Sequence, residues 1–124
     1  MKKEIRTQNA STPVGIYSQA IGYKDLIFIS GQIPLTKKGE KVEGSMTEKM
    51  SVIMENIHNI LKEANSDFDK VVYCQIYLKN IEDFDEVNEI YKDYFKKPYP
   101  ARVVVGGVKL PAGADIEITM VAHR

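Results

Sequence analysis

With 124 residues, 44% apolar and 27% charged, the chain has the length and composition of one folded domain, residues 1–124, and not of a disordered segment. Its 17 basic residues balance 17 acidic ones, a net charge of zero that speaks against non-specific nucleic-acid binding and leaves copies of the chain able to associate. One cysteine excludes an internal disulfide, and no apolar run approaches the roughly 20 residues of a membrane span.

Two lysines open the chain without the apolar stretch of a secretory signal, so the expected location is the cytoplasm, with no membrane partner. Residues 3–7 read as a short edge strand. Residues 17–23 and 26–31 read as two strands joined in a hairpin at Lys24-Asp25, followed by a solvent loop marked by Pro34 and Lys37-Lys38-Gly39. Ser45 and Glu48 form a capping-box pattern at a helix start. Met50, Ile53, Met54, Ile57, Leu61 and Ala64 follow at helical spacing, and Asn65-Ser66 closes that helix.

Residues 70–78 alternate Val72, Cys74, Ile76 and Leu78 with Val71, Tyr73, Gln75 and Tyr77, a strand that asks for cover on both faces. A second helix starts at Asn80 or Asp83, carries Phe84, Val87, Asn88, Tyr91 and Phe95 on one side, and ends before Pro98-Tyr99-Pro100. Residues 101–108 form a nearly continuous apolar strand. After a turn at Leu110-Pro111-Ala112-Gly113, residues 115–122 form a last strand alternating Ile116, Ile118, Met120 and Ala122 with Glu117, Thr119 and Val121. The order ββ(β)-α-β-α-β-β predicts an α+β sandwich, one mixed sheet with both helices on one face. No third helix is at hand for the other face, so a second copy of the chain is expected to cover it.

Arg102 is the most unusual position, a permanent cation opening the most apolar strand. It either pairs with an acidic side chain or keeps its planar donor fork for the carboxylate of a ligand. Glu117 stands mid-strand between two isoleucines. It is either a solvated edge residue or, facing a cleft, a general acid/base. An Arg102–Glu117 pair would be structural or half of a site.

Gly106-Gly107 marks either a bulge or a close approach of another backbone or ligand. Ser30-Gly31-Gln32 at a strand end is a turn or a ligand contact, Tyr17 is a candidate hydrogen-bond donor, and Asn88 interrupts an apolar helix side and so should meet something polar. Cys74 reads as inert core, Met50 and Met54 as core filling, and His58 and His123 as isolated imidazoles. No metal-ligand spacing or phosphate-cradling glycine pattern is present.

Together these segments resemble the RidA/YjgF family, the reactive-intermediate deaminases, over almost the whole chain. The resemblance is carried by residues 15–20 and 29–34, by Phe84-x-x-Val87-Asn88-x-x-Tyr91, Pro100-Ala101-Arg102 and Leu110-Pro111, and by Ile116-Glu117-Ile118. It implies a chorismate-mutase-like fold, a homotrimer with ligand clefts between protomers, and hydrolysis of 2-imino acids such as 2-iminobutanoate and 2-iminopropanoate without a cofactor. In that scheme Arg102 matches the carboxylate-binding arginine and Glu117 the acidic residue that serves the attacking water. Tyr17, Ser30 and Asn88 match cleft positions, with Gly31 letting the ligand approach the backbone.

The sequence departs from the family pattern at Val104, where many members carry cysteine, and at Val105-Gly106-Gly107-Val108. The resemblance also leaves two other readings: a non-catalytic small-carboxylate-binding regulator, and an RNA-cleaving activity that the neutral charge does not favour.

Overall fold

The computed structural model describes residues 1–124. Its strands are β1 (Lys3–Ile5), β2 (Ala20–Tyr23), β3 (Leu26–Gln32), β4 (Val71–Leu78), β5 (Ala101–Gly106) and β6 (Ile116–His123). Its helices are α1 (Met46–Glu63), between β3 and β4, and α2 (Phe84–Tyr91), between β4 and β5. The strands form one sheet in the order β1-β2-β3-β6-β4-β5, antiparallel throughout except for the parallel pair β4–β5. The expected α+β architecture is therefore the one observed. No helix is long and apolar enough to cross a membrane.

Local chemistry explains most of the boundaries. Lys24 turns the β2–β3 hairpin at φ 54°. The Ser45 hydroxyl accepts from the Glu48 amide and the Glu48 carboxylate accepts from the Ser45 amide, so the capping box starts α1 and contributes about 1 kcal/mol. Asn65 ends that helix at φ 60°.

The apolar stripe of α1 packs Met50, Ile53, Met54, Ile57, Ile60 and Leu61, all essentially inaccessible, against Ile27, Ile29, Ile76, Ile118 and Met120 of the sheet. Val87 and Tyr91 of α2 join the same cluster, so both helices cover one face. The other face carries Phe28, Val72, Val103 and Val105 at 37–45% exposure, an apolar surface with no second layer.

Several features differ from the sequence reading. β2 begins at Ala20 rather than residue 17, because the buried Gln19 side chain binds the Thr7 amide and the Thr7 and Ser11 carbonyls, holding residues 7–19 as a loop. A register shift between Val71 and Tyr73 sends Val71, not Val72, into the core. α2 ends at Tyr91, and Phe95 reaches the core from the turn beyond. β5 stops at Gly106, where a Cβ would lie 2.5 Å from that of Ile81, so the glycine allows a close approach of chain segments, and Gly107 turns away at φ 77°.

Candidate functional site

Arg102 leaves the sheet on the helix side. Parallel pairing aligns it with Cys74 of β4, whose antiparallel partner is the core residue Met120, so all three point to one face. α2 lies beside it there. The Asn88 Oδ1 accepts from Arg102 Nη2 at 2.9 Å. The guanidinium carbon stands 4.6 Å from the centre of the Tyr91 ring and 5.8 Å from that of Phe84.

The ion pairs of the chain are Lys49–Asp115 and Lys92–Glu89, so no carboxylate of the chain holds Arg102. An open cleft of about 510 Å³ adjoins it, lined also by Asn88, Tyr91, Lys92, Tyr99 and Pro100. Of the two sequence readings of Arg102, the internal salt bridge is the one that fails. Asn88 does meet something polar, the arginine itself.

Glu117 sits on the opposite face. β6 lies between β3 and β4, so Glu117 is not on an edge strand, and its neighbour across the ladder is Tyr77. The carboxyl is half-buried without a cationic partner, and that burial raises its pKa above the ordinary glutamate value. A small pocket beside it is lined by Pro13, Tyr17, Gly31, Ile33 and Pro111. A methyl group on Gly31 would stand 2.6 Å from Glu117 Oε2, so the missing side chain is what leaves room for the carboxylate. Tyr17 is half-exposed at the pocket mouth. Ser30 precedes Gly31, but its hydroxyl donates to the Ser18 carbonyl at 2.6 Å.

The sequence-derived residues therefore fall into two groups. Tyr17, Gly31 and Glu117 share one pocket with Ser30 behind it, and Arg102 and Asn88 share another. Arg102 is level with Met120 and Glu117 with Val105, so the two lie two strands and three residues apart, roughly 14 Å by ladder spacing. A direct Arg102–Glu117 pair within the chain is excluded.

Three contributors lie outside the site residues expected from sequence. Tyr91 looked like one more apolar position on the second helix. Gln19 and Gln32 are buried side chains that hold the Tyr17 loop, Gln32 accepting from Ser11 Oγ at 3.4 Å. Their only signal was their place within the segments already quoted.

Residues 7–124 match the family model described as Endoribonuclease L-PSP. The chain is 42% identical over 125 residues to a RutC family protein of Pyrococcus horikoshii, covering 100% of this chain and 99% of the relative. It is 42% identical over 123 residues to the human protein named 2-iminobutanoate/2-iminopropanoate deaminase, covering 98% and 90%. The crystal structure of E. coli TdcF with bound serine superposes with a TM-score of 0.91 at 28% identity, covering 98% of each chain.

Proposed function

This chain belongs to the RidA/YjgF family, and from that premise we propose that it hydrolyses 2-imino acids, 2-iminobutanoate and 2-iminopropanoate among them, to 2-keto acids and ammonia. The observation that carries the reading is Arg102, a permanent cation at the edge of a cleft with no carboxylate of its own chain beside it. A small organic acid supplies the missing anion, and the guanidinium fork fits its carboxylate at two points. The human deaminase and the serine-bound structure both concern ligands carrying such a carboxylate.

In this mechanism Glu117 serves the water. Water adds to the imine carbon, its proton passing through Glu117 to the nitrogen. The hydroxyl proton of the resulting carbinolamine then passes through Glu117 to the amino nitrogen, the C–N bond breaks as the carbonyl forms, and ammonia leaves. A carboxyl whose pKa is raised by burial both accepts and returns a proton more readily near neutrality than an ordinary one. Imines hydrolyse in water unaided, so holding water against a captured imine is most of the work. Tyr17, Ser30 and Gly31 border the water side, and Asn88 the carboxylate side.

Because Arg102 and Glu117 stand on opposite faces, one chain does not assemble this site. We place it between protomers of a homotrimer, the Arg102 cleft of one protomer facing the Glu117 pocket of the next. The uncovered apolar face supports such packing.

The test supplies the imine in situ with a threonine dehydratase and follows its decay. The wild type accelerates it and Arg102→Ala returns it to background. No acceleration by the wild type overturns the proposal in favour of a regulator that only binds carboxylates. A Glu117→Ala variant that still binds a 2-keto acid but turns over slowly assigns the carboxylate to chemistry.

A further inference from the structure

α2 sets Phe84, Asn88 and Tyr91 in one stripe at i, i+4 and i+7, and all three lie against Arg102. Asn88 explains only part of the contact. One hydrogen bond fixes one nitrogen of a long, flexible side chain and leaves the guanidinium able to turn about it. The ring of Tyr91, 4.6 Å from the guanidinium carbon, is the second constraint, and its negative face attracts the cation.

That ring is itself held by packing. Tyr91 is 6% exposed and packs on Phe95 with ring centres 4.6 Å apart. We propose that Tyr91 is a positioning residue, its ring face holding the Arg102 guanidinium where a ligand carboxylate meets it. The inference rests on the reading of Arg102 as the carboxylate anchor.

Two further observations point to the ring and not to the hydroxyl. The Tyr91 hydroxyl is buried, and the Cys74 thiol, a weak hydrogen-bonding group, is the polar neighbour it has there. A contact with a thiol is worth little to a buried hydroxyl, so hydrogen bonding does not account for the residue's place. The groups under Arg102 also leave its charge uncompensated. Burial pushes the Cys74 thiol up to about 12 and raises the Tyr91 phenol as well, so both stay neutral at physiological pH. The arginine thus has an oriented, neutral floor and an open side toward the cleft.

Calorimetric titration of the full chain with 2-oxobutanoate tests this, using wild type, Arg102→Ala, Tyr91→Phe, Tyr91→Leu and a chain with pentafluorophenylalanine in place of Tyr91. The fluorinated ring keeps the shape of phenylalanine but loses its negative face. Tyr91→Phe should bind within twofold of wild type, and Tyr91→Leu and the fluorinated chain each about fivefold more weakly. Equal thermal stability of the phenylalanine and fluorinated chains separates this effect from a packing defect, even where Tyr91→Leu folds poorly.

Equal affinity of those two chains, or a loss in Tyr91→Phe as large as in the fluorinated chain, overturns the positioning role while leaving the carboxylate anchor in place. A wild type that does not bind 2-oxobutanoate, or an Arg102→Ala chain that binds it as well as wild type, overturns the anchor and this inference with it.

Discussion

β6 carries two surfaces on one strand. Toward the helices, Ile116, Ile118, Met120 and Ala122 are at most 1% exposed and belong to a single cluster of 24 buried residues. Toward the other side, Glu117, Thr119 and Val121 are only half-buried, on the same face as exposed Val103 and Val105 of β5. The first surface is closed by covalently linked helices and needs nothing from outside. The second is apolar enough to need cover and holds an unpaired carboxyl. Stability is concentrated on one face of the sheet, and the unpaired Glu117 carboxyl shares the other with the uncovered apolar surface. Arg102 departs from this division, since it is a charge on the helix side, tolerated there because it sits at the sheet edge over aromatic rings and opens to a cleft.

The largest effect should come from the closed face. Ile118→Ala removes a fully buried side chain between α1 and the sheet, and urea unfolding should show a loss of about 3–4 kcal/mol. A loss below 1 kcal/mol would mean that this face is far looser than its burial indicates. Next comes the pocket of the open face. Gly31→Ala places a methyl 2.6 Å from Glu117 Oε2. Because the obstacle is the end of a flexible side chain, unfolding should barely change, while imine hydrolysis falls about tenfold or more through displacement of the carboxylate. Unaltered hydrolysis would separate Glu117 from the chemistry.

A smaller change in stability is expected at Val105, 37% exposed. Val105→Lys should alter chain stability by no more than about 0.5 kcal/mol yet disperse the assembly, as read by light scattering. An unchanged particle mass would locate the interface elsewhere.

The smallest effect is a pH dependence. Burial raises the Glu117 pKa above its unfolded value, so the group's contribution is fully present below the ordinary glutamate range and is lost as pH rises through the raised value. Glu117→Gln abolishes that loss. Its stability relative to wild type should therefore increase with pH across that window and then level off. A relative stability that declines instead would reveal a favourable partner for the ionised carboxylate.

Much of this was readable along the chain because it rests on local physics. Ser45 and Glu48 are three residues apart and cap one another wherever the helix goes. The alternation in residues 116–122 states which side chains share a face, whatever that face packs on. The parity of Arg102 was hidden for the opposite reason. Val103, Val104 and Val105 are all apolar, so nothing in their order says which side the arginine takes. Only the pairing of Arg102 with Cys74 decides it. The exchange of Val71 and Val72 was hidden in the same way, since a one-residue register shift reverses the faces without any change of composition.

The sequence by itself determined the elements, the apolar stripe of α1, the α+β class and the short set of polar residues worth following, because helical and strand periodicities act over a few residues. Tertiary structure alone decided that β6 enters between β3 and β4, that Glu117 is central rather than at an edge, and that Arg102 and Glu117 look out from opposite faces. Strand order and register are set by contacts between segments tens of residues apart. Their energy comes from packing two surfaces together, and neither surface carries a record of its partner in its own order of residues.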